Sequence, residues 1–167
     1  MNSQNSFIWL ISFFLLNLAK LNLAGPVSSR TKPCNIHPNQ IICLGESIND
    51  ASLLMLKKEL LDRHHGMYFE QLMITGTHIT LIGADVFADN EFESITISDN
   101  QFLRNIDEAA FKAATKTASL QIINNRLLKS NTLYKLADQV KATVVDLDYN
   151  ALEVFYKTHF DPELFLF

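Results

Sequence analysis

The chain has 167 residues, of which 48% are hydrophobic and 19% charged, and 18 acidic against 14 basic side chains give a formal charge of −4. This composition predicts one or at most two globular domains, and it excludes a disordered, a collagen-like or a multipass membrane chain. The acidic balance also argues against nucleic-acid binding through a basic surface, because neutralising phosphates requires clustered lysine and arginine.

The N-terminal segment has the pattern of a secretory signal peptide. Residues Phe7 to Leu16 form a continuous apolar run, FIWLISFFLL, and smaller residues follow in LNLAGPVSS. The run is shorter than the ~20 apolar residues that a membrane-spanning helix needs, and its length and flanks fit an h-region with a cleavage zone. We predict a signal peptide over residues 1–24, a linker over 25–33 and a secreted, extracellular protein. Cleavage removes Lys20 and leaves 13 basic against 18 acidic side chains, a charge of −5. An uncleaved signal anchor is the alternative.

Secretion gives the two cysteines, Cys34 and Cys43, a structural meaning. In an oxidising compartment a close pair favours a disulfide over a metal site or a redox centre. Two ligands do not close a zinc site, and the spacing is not CxxC. We therefore expect a Cys34–Cys43 disulfide, no metal and no cofactor. The chain also lacks an N-x-[ST] sequence, which predicts no N-linked glycan.

An aliphatic-x-aliphatic triplet recurs in the middle of the chain. Its four copies, which start 23, 25 and 25 residues apart, are Leu72-x-Ile74, Ile95-x-Ile97, Leu120-x-Ile122 and Val145-x-Leu147. Three copies place an asparagine five positions after the first aliphatic residue, at Asn100, Asn125 and Asn150, and the first copy has Thr77 there. Recurrence at a nearly fixed spacing indicates a repeat architecture.

Each triplet predicts a short strand, because alternate side chains of a strand point to the same face and that face must be buried. A unit of this size does not cover its own apolar face, so neighbouring units are expected to stack with their strands in a parallel sheet. The recurring asparagine would supply hydrogen bonds to turn backbone that is otherwise buried unpaired. Phe87, Phe111 and Leu136 follow three of the triplets by 15 or 16 residues and are expected to be buried.

The recurring segments resemble the leucine-rich repeat, whose L-x-x-L-x-L-x-x-N-x-L consensus the four copies meet by apolar substitution, with Thr77 in place of the asparagine in the first. The resemblance covers roughly residues 69–156, and the chain as a whole is similar to small secreted leucine-rich repeat proteins of arthropods. It implies an α/β solenoid with short parallel strands on the concave face and a helical or irregular convex side. About four repeats would span residues 67–156, and residues 157–167 would form a C-terminal tail or an incomplete cap.

Residues 34–66 are predicted to form an N-terminal cap. Gln40 to Leu44 would be the first strand and cover the sheet edge, and the resemblance supports a disulfide-bearing cap here. Asn49 and Asp50 open a predicted helix. Its apolar residues at helical spacing are Leu53, Leu54, Leu56, Leu60 and Leu61.

The sequence carries no catalytic signature of the GxSxG, HExxH, Walker A or GxGxxG type, and we expect no enzymatic activity. Asp146-x-Asp148-x-Asn150 resembles the opening of a calcium loop, but Ala151 replaces the glycine and Lys157 the bidentate glutamate. A weak cation site and an acidic rim are the two interpretations, and the rim is favoured. A hydrolase that uses Asp146 and Asp148 is a further alternative.

The concave face is the surface that leucine-rich repeat proteins generally use for partners. Aligning the copies predicts these partner-binding residues: Thr75, Thr96, Ser98, Asp99, Gln121, Asn124, Asp146, Asp148 and Tyr149. They are mostly small and polar, and they become acidic toward the last copy, which suits a protein partner of basic character. We therefore expect a secreted module that binds or scaffolds an extracellular protein ligand or a catalytic partner subunit. Membrane-tethered display through an uncleaved anchor is the alternative.

Overall fold

The computed structural model describes residues 33–151, which form a mixed α/β fold around a largely parallel sheet. The predicted signal peptide lies outside the described residues, as does the predicted C-terminal tail. The main sheet has the order β1-β2-β3-β5-β7-β8, with strands Asn35–His37, Gln40–Leu44, Tyr68–Thr75, Glu91–Ser98, Ser119–Ile123 and Val144–Asp146. A second, two-stranded parallel sheet pairs β4 with β6, at Leu81–Ile82 and Asn105–Ile106. The helices are α1, Asp50–Arg63, a 3-10 helix, Glu108–Phe111, and α2, Ser130–Val140.

The triplets lie on adjacent parallel strands in register. Leu72 of β3 pairs with Ile95 of β5, Ile95 pairs with Leu120 of β7, and Leu120 pairs with Val145 of β8. The first three of these side chains are fully buried, and Val145 packs against the same core. The alignment predicted from the spacing is thus confirmed, and the aliphatic residues form a continuous row behind the sheet.

A chain of hydrogen bonds joins the residues that follow the triplets. Asn100 donates from Nδ2 to the carbonyl of Ile74, and its Oδ1 accepts from the backbone N–H of Thr77 at 3.0 Å. Asn125 repeats this arrangement one copy later, and its Oδ1 accepts from the backbone N–H of Asn100 at 3.1 Å. Asn150 in turn accepts from the backbone N–H of Asn125 at 2.9 Å. Asn100 and Asn125 are completely buried, so these bonds satisfy backbone groups that water does not reach.

The residues that follow the strands supply a second buried layer. Phe87 and Phe111 stack with their ring centroids 4.7 Å apart, and Phe92 meets Phe87 edge-on at 5.7 Å. Leu136 of α2 is also buried. The expectation that Phe87, Phe111 and Leu136 belong to the core is confirmed, and these aromatic rings are not exposed for ligand stacking.

The N-terminal strands differ in one respect from the expectation. Gln40–Leu44 is a strand, as predicted, and Cys34 forms the predicted disulfide with Cys43. However, β2 is not the edge of the sheet, because β1 pairs with it in antiparallel orientation and lies outside it. The tight turn at Pro38 and Asn39 brings β1 back along β2, and the disulfide closes the same hairpin.

Helix α1 begins where the sequence predicts. The Asn49 side chain accepts from the backbone N–H of Ser52, and the Ser52 hydroxyl accepts from that of Asn49, so the two residues form a capping box. The apolar residues divide between two environments: Leu53, Leu56 and Leu60 are buried, whereas Leu54 and Leu61 are exposed. Leu54 and Leu61 each follow a buried leucine by one residue. With 3.6 residues per helical turn, they lie about 100° around the helix from the buried leucines.

None of the helices within residues 33–151 is long and apolar enough to cross a membrane.

Candidate binding face

The outward-facing side chains of the main sheet form ordered rows, because parallel strands in register place equivalent positions side by side. One row runs through Ile42, Met73, Thr96, Gln121 and Asp146. A second row, nearer the carboxyl ends of the strands, runs through Leu44, Thr75, Ser98 and Ile123. These two rows define the surface that we call the outer face. The core lies on the opposite side of the sheet, and the side chains of the outer face are half-buried, except Leu44, which is exposed.

Hydrogen bonds between neighbouring strands fix several of its polar side chains. The Thr75 and Ser98 hydroxyl oxygens lie 3.1 Å apart, and Thr96 Oγ1 donates to Gln121 Oε1 at 3.4 Å. Cross-strand pairs of this kind hold their side chains in one orientation and stabilise the sheet modestly. The middle of the outer face therefore presents prearranged hydroxyl and amide groups.

A row of left-handed residues borders the outer face where the strands end. Gly76, Asp99, Asn124 and Tyr149 have φ values of 63°, 58°, 55° and 56°. The backbone N–H of Asp99 donates to the Ile123 carbonyl at 3.1 Å, and that of Asn124 donates to the Asp148 carbonyl at 3.0 Å. This conformation thus lets each copy bond to the next. Asn124 also donates from Nδ2 to Asp99 Oδ1 at 2.7 Å.

Tyr149 differs from the other residues of this row. Glycine, aspartate and asparagine are the residues that enter the left-handed region at low cost, whereas a tyrosine there is strained. Its side chain is 78% exposed, so burial in the core does not compensate for the strain. Such an outlier directs attention to a role outside folding.

Asp146 and Asp148 do not share one strand, because Asp148 lies in the turn that follows β8. Strand β8 ends at Asp146, and the backbone N–H of Asp148 donates to Asp146 Oδ1 at 3.1 Å. Asn150 points inward, where its amide group bonds to the carbonyls of Ile122 and Leu147. Asp146, Asp148 and Asn150 therefore do not form the cation loop that their spacing resembles. No group of three or more His, Cys, Asp or Glu side chains within residues 33–151 is arranged to hold a metal ion.

The structure brings the predicted binding residues onto one continuous surface. Thr75, Thr96, Ser98, Gln121 and Asp146 lie in the two rows, Asp99, Asn124 and Tyr149 lie in the bordering turns, and Asp148 lies beside Tyr149. The other part of this surface, Ile42 and Leu44 of β2, was missed because the segment Gln40–Leu44 was interpreted only as a cap. Burial alternates along that segment, with Ile41 and Cys43 inside, but the sequence does not show it because Ile42 and Leu44 are apolar as well.

An acidic group near the amino ends of the strands was also missed. The Tyr68 hydroxyl donates to Glu93 Oε2 at 2.9 Å. This hydrogen bond to Glu93, together with partial burial and the nearby charges of Glu93, Glu70 and Glu91, raises the pKa of Tyr68 above its ordinary value. The spacing of 23 residues between Glu70 and Glu93 matches that of the first two triplets, so the alignment of the copies contained this signal.

Comparison of the chain with protein-family models, with curated proteins and with solved structures gives no match.

Proposed function

We propose that this chain is a secreted, non-enzymatic leucine-rich repeat module that binds a basic protein partner through the outer face. The observation that carries the proposal is the convergence of separate copies on one surface. Residues that are 25 positions apart in sequence, such as Thr96, Gln121 and Asp146, become neighbours there.

The repeat interpretation is supported by the regular bonding between copies. The Asn100, Asn125 and Asn150 side chains make equivalent bonds, each to a strand carbonyl of the preceding copy and to a backbone N–H beside it. A unit that depends on its neighbour for both its apolar cover and its polar partners is characteristic of stacked repeats. On this interpretation the parallel strands line the concave side of a short solenoid, and β1, β2 and α1 form its N-terminal cap.

Secretion is supported by the disulfide and by the N-terminal sequence. The Cys34–Cys43 bond is of a kind that persists in oxidising compartments and is rare in the cytosol. The apolar run at the N-terminus has the length of a signal peptide.

A basic protein partner is supported by the gradient of chemistry along the outer face. The end at β2 is apolar, with Leu44 exposed, the centre carries hydroxyl and amide groups, and the end at β8 carries Asp146 and Asp148. Protein interfaces commonly combine apolar anchors with a polar, charged rim. Carboxylates at one end would orient a basic partner and increase its rate of association.

Two double variants of the full chain test the mapped surface. Partners are captured from the native extracellular fluid and purified, and their affinity is then compared between Gln121→Lys with Asp146→Lys and the matched control Gln101→Lys with Asp138→Lys. The control makes the same chemical changes at exposed positions off the outer face, one of them on α2. We expect the first variant to lose at least about tenfold in affinity and the control to bind normally. Normal binding by the first variant would contradict the proposal.

N-terminal sequencing of the mature protein separates secretion from membrane tethering. Cleavage after about residue 24 predicts a new N-terminus near Gly25 in the culture medium. A protein that keeps Met1 and stays in the membrane fraction would support tethered display. A hydrolase activity that disappears when Asp146 and Asp148 are both changed to asparagine would contradict the non-enzymatic role.

A further inference from the structure

We infer that Tyr149 is a site of tyrosine O-sulfation, in which a nucleotide phosphosulfate donates its sulfonate group to the phenol. The inference deepens the proposed function and rests on its secretory part, because sulfation of this kind occurs in the secretory pathway. The target is the phenolic oxygen at the acidic end of the outer face.

Accessibility of the hydroxyl is the first observation. Tyr149 is 78% exposed, and its hydroxyl makes no hydrogen bond to any residue in the range 33–151. By contrast, Tyr68 is engaged by Glu93, and the Tyr134 hydroxyl is buried. Of the three tyrosines that the structure describes, Tyr149 therefore has the most accessible phenol.

The position of the tyrosine in the sheet is the second observation. Tyr149 follows β8, which is the last strand in the order of the main sheet. Tyr68, in contrast, belongs to β3, which pairs with β2 on one side and β5 on the other. Tyr149 lies in a turn after the end of β8, between Asp148, whose carbonyl accepts from the Asn124 N–H, and Asn150, whose amide bonds to the Ile122 carbonyl. Tyr68, by contrast, lies inside a strand that is paired on both sides.

The local charge is the third observation. Asp148 immediately precedes Tyr149, Asp146 lies three residues before it, and residues 142–151 contain no lysine, arginine or histidine. The basic residues beside this turn belong to the preceding copy: the backbone of Lys129 pairs with Ala151, and Arg126 Nε donates to Asn124 Oδ1. The Asp148 side chain is exposed, and that of Asp146 is half-exposed. An enzyme that binds an anionic sulfonate donor has a basic active site, and complementary charge steers an acidic segment into it.

The transfer is a substitution at sulfur without any change of oxidation state. The phenolic oxygen of Tyr149 attacks the sulfur of the donor, and an oxygen–sulfur ester bond forms. The bond between that sulfur and the bridging phosphate oxygen breaks, the nucleotide leaves with its phosphate, and the phenolic proton passes to a base of the transferase. The product carries a fixed negative charge, which strengthens attraction to a basic partner.

Intact-mass analysis of the secreted full chain tests the inference. The wild-type chain, Tyr149→Phe and the matched control Tyr68→Phe are expressed in animal cells that sulfate secreted proteins. We expect one added SO3 group on the wild-type chain and on Tyr68→Phe, and none on Tyr149→Phe. The group should resist phosphatase and disappear when cellular synthesis of the sulfonate donor is inhibited. The predicted lack of N-linked glycans keeps the mass simple to interpret.

A chain that is secreted without the group, or a group that persists on Tyr149→Phe, would overturn the inference. Phosphatase-sensitive mass would overturn it as well. If the chain is not secreted, the purified chain is incubated with a tyrosine sulfotransferase and its donor, and no labelling at Tyr149 then overturns the inference. Loss of the sulfate assignment leaves the affinity test of Gln121 and Asp146 unaffected, so the two proposals fail separately.

Discussion

The inner and outer faces of the main sheet differ in how their chemistry changes from strand to strand. On the inner face, the row through Ile41, Leu72, Ile95, Leu120 and Val145 is aliphatic throughout. On the outer face, the adjacent row starts with Ile42 and ends with Asp146. Both rows have the same backbone register, so the contrast lies in the side chains alone. The inner face keeps the strands together, and the outer face is free to vary for recognition.

The largest effect in this comparison is expected for neighbouring residues of β7 that point to opposite faces. Leu120→Ala should lower the free energy of unfolding by about 2–5 kcal/mol, because it removes a fully buried side chain from the aliphatic row. Gln121→Ala should change it by less than about 0.5 kcal/mol. Denaturant unfolding of both variants checks the contrast, and similar losses of stability would contradict the division of the two faces.

An intermediate effect is expected for the buried asparagines. Asn125→Ala should lower the free energy of unfolding by about 1–3 kcal/mol, because backbone groups of the adjacent copy lose their hydrogen-bond partner. Asn131→Ala makes the same change at an exposed position of α2 and should be nearly neutral. An unchanged unfolding midpoint for Asn125→Ala would remove the structural role of this residue.

A substitution at Tyr149 is expected to have a smaller effect on stability, and one of opposite sign. Tyr149→Gly should raise the free energy of unfolding by about 0.5–1 kcal/mol, because glycine adopts the left-handed conformation without the strain of a side chain. Asn124→Gly should not gain stability, since asparagine already tolerates this region and the change removes the hydrogen bond from Asn124 Nδ2 to Asp99. Thermal unfolding measures both variants. A loss of stability in Tyr149→Gly would show that the ring stabilises the fold.

The smallest effect concerns the titration of Tyr68. Glu93→Gln should move the pKa of Tyr68 down toward the ordinary value of about 10, because the accepting carboxylate loses its charge. Since folding raises this pKa, protonated Tyr68 stabilises the folded state fully at pH values below the ordinary pKa. This stabilisation is lost as the pH rises through the pKa of the folded state. NMR of labelled tyrosine rings follows the titration, and Glu108→Gln should leave it unchanged.

The inner face was more predictable from the sequence than the outer one. The spacing of the triplets and of Asn100, Asn125 and Asn150 predicted the register, because burial of a repeated apolar pattern allows few arrangements. The edge position of β1 was missed, since three residues carry too little pattern to identify a strand. The recurrence of the asparagines also predicted the structural role of Asn150, which bonds to the Ile122 carbonyl of the preceding copy.

The chain of asparagine bonds has a consequence for how such a protein changes its length. Asn100 bonds to the backbone of Thr77, 23 residues earlier, and Asn125 and Asn150 each bond to the backbone of the residue 25 positions before them. The last two 25-residue segments are therefore joined to their predecessors by equivalent hydrogen bonds. A duplication or deletion of one whole 25-residue segment would meet the same donors and acceptors at its new junction, whereas a shift by a single residue would break the line of asparagines. Duplication or deletion of such a segment could thus widen or narrow the outer face while the contacts of the core stay the same.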